Sequence, residues 1–200
     1  MGLIDVRTFE DVRVLIVGWN PNSNQFLREV LKSLTLPAFT RVTRTCEALT
    51  SLRDHGYELV LCTADCGPLD PAAFVSAVRR DHLSRDPTVP IVIVSAGSTR
   101  TEIELMRDAG ADYVLVPPMS AAALRRTLEK ILLEWRNFVI GKSYIGPDRR
   151  RVEREFLGDN KRVTEVQTFF QPPRAKAAAG ELPNRPTRGA LLGDAHKKIL

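Results

Sequence analysis

Three short stretches of this chain, Asp11–Val17, Leu59–Cys62 and Pro90–Val94, are almost wholly apolar and dominated by Val, Ile and Leu. A strand that is apolar at consecutive positions cannot turn one face to water. Such runs predict a parallel sheet covered on both sides. Helical periodicities lie between them. Phe26, Leu27, Val30, Leu31 and Leu34 recur at helical spacing after the candidate caps Asn22 and Ser23, and Pro37 stops that segment. Phe39–Thr43 predicts a weaker strand, and Thr45 caps a helix carrying Ala48, Leu49 and Leu52 that closes near Gly56. Pro71 suits the first turn of a helix with Phe74, Val75 and Val78. Ser98 or Thr99 opens another with Ile103, Leu105, Met106 and Ala109, closed by Gly110. Asp112–Val116 predicts a last short strand, and Ser120 caps a long helix carrying Leu124, Leu128, Ile131, Leu132 and Trp135.

Five strands alternating with five helices imply parallel pairing through right-handed crossovers, hence a three-layer doubly wound α/β domain. Ligands and reactive groups of such domains gather at the carboxyl ends of the strands. That directs attention to residues 18–21, 63–70, 95–98 and 116–119.

The segments at those ends resemble the receiver domains of two-component response regulators. Arg13-Val-Leu-Ile-Val-Gly-Trp-Asn-Pro21 is similar to the family's opening strand, which two acidic residues normally follow. Tyr57-Glu-Leu-Val-Leu-Cys-Thr63 is similar to the strand that normally ends in the phosphoacceptor aspartate, and Gly67-Pro-Leu-Asp70 to the turn after it, shifted by one residue. Val89-Pro-Ile-Val-Ile-Val-Ser-Ala96 resembles the strand ending in Thr/Ser-Ala, and Gly110-Ala-Asp-Tyr-Val-Leu-Val-Pro-Pro-Met119 the segment that normally carries Lys-Pro. The resemblance spans roughly residues 11–134. It implies a flavodoxin-like five-stranded sheet with strand order 2-1-3-4-5.

Receiver chemistry needs carboxylates that hold Mg²⁺ through oxygen and neutralise an incoming phosphoryl group. The resemblance puts the acidic pair on Gly18 and Trp19, the acceptor on Thr63, the hydroxyl on Ser95 and the Lys on Pro117. Only Ser95 keeps the expected chemistry. Gly and Trp offer no side-chain oxygen, Thr is a poor acceptor without metal or base, and Pro carries no charge. Asp65 and Asp70 are vestigial acids near the rim or simple turn residues. Trp19 either fills the vacated pocket or presents an aromatic anchor to a partner. Pro118 keeps the option of the cis peptide bond common at this place in the family. Val114 stands where receivers usually have a rotating aromatic, with Tyr113 beside it, so that switch is not expected. No metal, cofactor or enzymatic activity is expected. Cys62 and Cys66 have no second pair, His55 and His82 lack ligand spacing, and neither a glycine-rich phosphate loop nor a Ser/His/Asp elbow is present.

The expected organisation is a receiver-like domain over 11–136 and a basic, Pro/Ala-rich, largely irregular C-terminal extension over 137–200. Charge supports the division. Residues 1–134 hold 15 Lys and Arg against 17 Asp and Glu, whereas 135–200 hold 14 against 7, so the whole positive excess lies in the extension. Arg149, Arg150, Arg151 and Arg154 form a cluster able to grip phosphates or carboxylates. The run Arg-Arg-Arg-x-x-Arg resembles the arginine motif with which PilZ domains bind cyclic di-GMP, although no β-barrel sequence follows it. Val163–Phe170 is read as a short strand or docking segment, and helix-turn-helix periodicity is not visible. No apolar run reaches membrane-span length and no secretory leader is expected. The odd, sparse cysteines fit a reducing compartment. The function expected is a cytoplasmic signalling adaptor, independent of phosphorylation and acting by protein–protein contact through the 99–135 face, the basic arm or both. Its partners would be a histidine kinase, another regulator or a second copy of the chain. The alternative is a nucleic-acid or nucleotide-binding regulator using Arg149–Arg154.

Overall fold

A computed structural model describes residues 12–18, 38–64, 66, 69–95, 97–133, 136–149 and 167–171. The helix expected over 26–34 lies outside them. Strands β1 (Arg13–Val17), β2 (Ala38–Val42), β3 (Leu59–Thr63), β4 (Ile91–Val94) and β5 (Tyr113–Leu115) form one sheet in the order β2-β1-β3-β4-β5. Every pairing is parallel, with Val14 opposite Phe39 and Leu59, and Val60 opposite Ile91. This is the order expected. Reversal of the strand order at β1 opens the crevice between β1 and the central β3.

Alternation along each strand sorts the core into two layers. Val14, Ile16, Leu59, Leu61, Val92 and Leu115 face helix α4 (Ala121–Leu133) and its Leu124, Leu128, Ile131 and Leu132. Leu15, Val17, Val60, Cys62, Ile91 and Ile93 face the other way. There they pack with α1 (Thr45–Asp54), α2 (Pro71–Arg80) and α3 (Arg100–Asp108). Each fully buried aliphatic side chain contributes about 1.5–3 kcal/mol, so β1, with four of them, anchors both layers.

Caps fix the helix starts. Asp70 accepts from Ala73 N at 2.8 Å and Pro71 follows at the first helical position. Thr99 and Glu102 form a reciprocal capping box on α3. At α1 the expected cap is displaced by one residue. Thr45 is already helical and its buried hydroxyl has no hydrogen-bond partner, while Glu47 reaches back to the backbone N–H groups of Thr43 and Arg44. Leu105, assigned from sequence to the apolar stripe of α3, is 56% exposed; Met106 is the residue of that helix that is buried. Among the described residues no helix is long and apolar enough to cross a membrane.

Within the extension the chain forms three strands, β6 (Arg136–Ile140), β7 (Ile145–Pro147) and β8 (Gln167–Gln171), in an antiparallel sheet of order β7-β6-β8. The boundary expected at 136/137 therefore falls inside β6, and β8 overlaps the second half of the segment singled out at 163–170. Short antiparallel strands with Gly and Pro in their turns carry too few periodic positions for the pattern to show in sequence. The β6–β7 hairpin packs on the body at the amino ends of β4 and β5. Gly110, at φ +105°, and Gly146 make this approach possible. A Cβ on Gly110 would stand 2.3 Å from the Ile145 carbonyl oxygen, and one on Gly146 2.8 Å from Gly110 Cα.

Beneath the hairpin lies Arg79. Its guanidinium donates to the carbonyls of Gly110 (3.1 Å), Pro87 (2.7 Å) and Val89 (2.7 Å) and to the Asp112 carboxylate (2.9 Å). The same Asp112 oxygen accepts from Ile91 N at 2.5 Å. Both side chains of this ion pair are buried, and Phe138 of β6 closes the underside with its ring 5.4 Å from the guanidinium carbon.

Candidate functional site

The carboxyl ends of β1, β3, β4 and β5 bring together Gly18, Thr63, Ser95 and Pro117. Gly18 follows β1 and its N–H donates to the Val42 carbonyl. Ala64 N, just past β3, donates to Val94, and Ser95 N to Leu115. The ladder thus carries all four positions to one rim, as expected. Trp19 and Asp65 lie outside the described residues.

Thr63 decides what this rim can do. The side chain is 5% exposed, and its hydroxyl donates to the Gly18 carbonyl at 2.9 Å and lies 3.4 Å from the Val17 carbonyl. A hydroxyl has one hydrogen to donate, so this one points along the backbone between β1 and β3 and away from solvent. Gly18 completes the closure. It sits at φ +77°, and a Cβ there would lie 2.3 Å from Thr63 Oγ1 and 2.9 Å from Cys66 Cα. No side chain of any kind fits at that point.

The other candidates are engaged as well. Ser95 is buried and shares a short hydrogen bond with the Ser98 hydroxyl. Pro117 is half-buried and joined to Pro118 by a cis peptide bond. The carboxylate of Asp70 caps α2. Among the described residues no cluster of three or more His, Cys, Asp or Glu could hold a metal ion. Cys66, read from sequence as a loop thiol, is buried beside the rim. Its Sγ is 3.4 Å from the Leu69 carbonyl, and its own carbonyl accepts from Thr45 N. Its hydrogen bond with Cys62, together with burial, pushes the Cys62 thiol well above its ordinary value, so Cys62 stays a protonated core residue.

The 99–135 face has more exposed apolar surface than its sequence suggests. Leu105 on α3 and Tyr113 and Val116 at β5 are exposed at 56%, 41% and 40%. Patterning assigned Leu105 to the core, and only its position on the outer side of α3 reveals it. Glu129 is buried and paired with Arg125 at 2.8 Å, and Arg100 pairs with Glu104 along α3.

Of the arginine cluster, Arg149 is described, and it is not a free anion receptor. It donates to the Asp108 carboxylate and, at 2.6 Å, to the Arg107 carbonyl, with its guanidinium carbon 4.3 Å from the centre of the Tyr144 ring. Arg150, Arg151 and Arg154 lie outside the described residues.

No protein-family model matches the chain. Over 91 residues, 45% of this chain, it is 31% identical to the transcriptional regulatory protein ZraR of Salmonella typhimurium, a match covering 20% of that protein. ZraR of Escherichia coli is 30% identical over 87 residues, covering 43% of this chain and 19% of that protein. The chain thus spans about a fifth of the length of the curated relatives it matches. Among solved structures it is similar to the receiver domain of a sensor histidine kinase from Pseudomonas aeruginosa, which has a magnesium ion coordinated in its active-site cleft. The TM-score is 0.51 at 25% identity, covering 60% of this chain and 95% of that one. The chemotaxis response regulator CheY4 of Vibrio cholerae shares the fold, with TM-score 0.52 at 20% identity, covering 60% of this chain and 98% of that one.

Proposed function

We propose that this receiver domain is a signalling module that works by protein–protein contact without being phosphorylated. The observation that carries the reading is the closure at Gly18 and Thr63: the hydroxyl at the acceptor position is buried and committed to backbone carbonyls, with no room for an acidic side chain opposite it. Mg²⁺ demands near-octahedral oxygen coordination. Asp70, the described acid in the connection that follows β3, is spent on a helix cap. Incubation with a small-molecule phosphodonor and Mg²⁺ is expected to leave the intact mass unchanged. A stable phosphoryl adduct would overturn the reading.

Contact is assigned to the surface of α3, β5 and α4, where Leu105, Tyr113 and Val116 are exposed. Aromatic side chains such as Tyr are among the usual centres of binding energy at an interface. The partner is another signalling protein, such as a histidine kinase or regulator, or a second copy of the chain in the cytoplasm. The double variant Leu105→Asp, Tyr113→Ala is expected to keep its melting temperature, because both side chains are exposed. It is expected to weaken binding of whatever protein the wild type retains by about 30-fold or more. Undiminished retention would remove this surface from consideration. The nucleic-acid reading draws no support from Arg149, whose guanidinium is already occupied within the protein.

A further inference from the structure

The end of α3 is finished by a residue 41 positions away. Arg107 and Asp108 form the last turn, and Gly110 N already donates to the Arg107 carbonyl at 3.0 Å. The second N–H arm of Arg149 reaches the same carbonyl, while the first grips the Asp108 carboxylate. A cation at a helix carboxyl terminus, adding a second donor to one of its last carbonyls, complements the dipole of that end.

The Arg149 side chain is held in place from behind. Its guanidinium stacks on Tyr144, whose hydroxyl donates to the Pro147 carbonyl at 2.9 Å, so ring and arginine belong to one hairpin. The hairpin in turn is tied to the body by Phe138 under Arg79, by Arg80 donating to the Ser143 carbonyl at 3.2 Å, and by the Gly110–Gly146 contact. Helix α3 itself is short and thinly buried. It is nine residues long and buries Met106 alone, and isolated helices of that length are unstable in water.

We propose that the hairpin with Arg149 is a strap that fixes the carboxyl end of α3, so that the state of the C-terminal extension sets the order of α3 and of the surface that carries Leu105. Arg149 opens the run Arg149-Arg150-Arg151 in sequence, so the clasp is covalently continuous with the basic cluster of the extension. The Asp108 side chain is 65% exposed and that of Arg149 36%. A pair that open to water is worth little. The clasp is therefore releasable, unlike the buried pair at Arg79. The strap stands or falls apart from the docking reading, because its test reads the helix and needs no partner.

Hydrogen exchange of the full-length chain is the test. In Arg149→Ala the amides of Ala109, Gly110 and Ala111, which bond back to Leu105, Arg107 and Met106, are expected to exchange about tenfold faster. Those of Leu15 and Leu61 in the central strands are expected to be unchanged. Arg149→Lys keeps the charge without the paired N–H fork or the flat stacking surface and is expected to fall between the two. The proposal is overturned if the three reporter amides do not respond, if they speed up only as much as Leu15 and Leu61, or if the lysine variant matches the wild type.

Discussion

Arg79→Ala is expected to cost about 3–5 kcal/mol of folding stability, read as a lowered urea midpoint at unchanged slope. Truncation leaves Asp112, buried in the native protein, without its cation. It also removes the donor that serves the carbonyls of Gly110, Pro87 and Val89. Domains of this size are stable by about 5–15 kcal/mol, so the loss is a large share of the whole. Asp112→Asn is expected to lose less, because an amide oxygen can still accept from Ile91 N and from Arg79. The pair Arg79→Met with Asp112→Leu is expected to destabilise by less than the sum of the two truncations, since no buried charge then remains. The orphaned carbonyls keep it from matching the wild type. A loss below about 1 kcal/mol for Arg79→Ala would show that the pair contributes no more than an exposed one.

Placing an acid at the rim is expected to harm the protein without returning its chemistry. Gly18→Asp must adopt a left-handed backbone that costs an L-residue about 1–2 kcal/mol. Its Cβ also runs into Thr63 Oγ1 and the Cys66 backbone. A total of about 3 kcal/mol is expected, measured by chemical denaturation. Thr63→Ala relieves the contact at Oγ1 but not the one at Cys66 Cα, so the double variant is expected to recover part of the loss and no more. With Thr63→Asp in place of Thr63→Ala, two carboxylates stand at the rim and intact mass is still expected to show no phosphoryl adduct. Full stability of Gly18→Asp would mean that β1 and β3 can part at this end, and would undo the argument that the rim is closed.

The sheet was legible because its strands are apolar at consecutive positions, a pattern few other environments tolerate. The rim followed from the sheet, since a strand's last residue locates its carboxyl end. The segments 18–21, 63–70, 95–98 and 116–119 followed from the strands alone, and the resemblance to receiver domains narrowed them to positions 18, 63, 95 and 117. Where Thr63 sends its hydrogen could not, because that depends on a carbonyl 45 residues away. Arg79 escaped notice for a related reason: next to Val78 and four residues after Val75 it occupies a buried helical position, but its charge reads as solvent-facing until three carbonyls from two separate loops are seen converging on it. Leu105 failed in the opposite sense, an apolar residue at helical spacing that points outward. In the extension, β6 and β7 are held by contacts with Gly110, Arg79 and Arg80, none of which leaves a mark in the local sequence. Trp19, Asp65 and the helix expected over 26–34 lie outside the described residues.

The hairpin meets the body at the amino ends of β4 and β5, whereas Gly18 and Thr63 stand at the carboxyl ends of β1 and β3. The length of a five-residue strand, about 15 Å, separates the two levels. The closure at Gly18 and Thr63 and the strap at Arg149 are therefore separate constructions at opposite levels of the sheet, and a substitution that opens one leaves the contacts of the other in place.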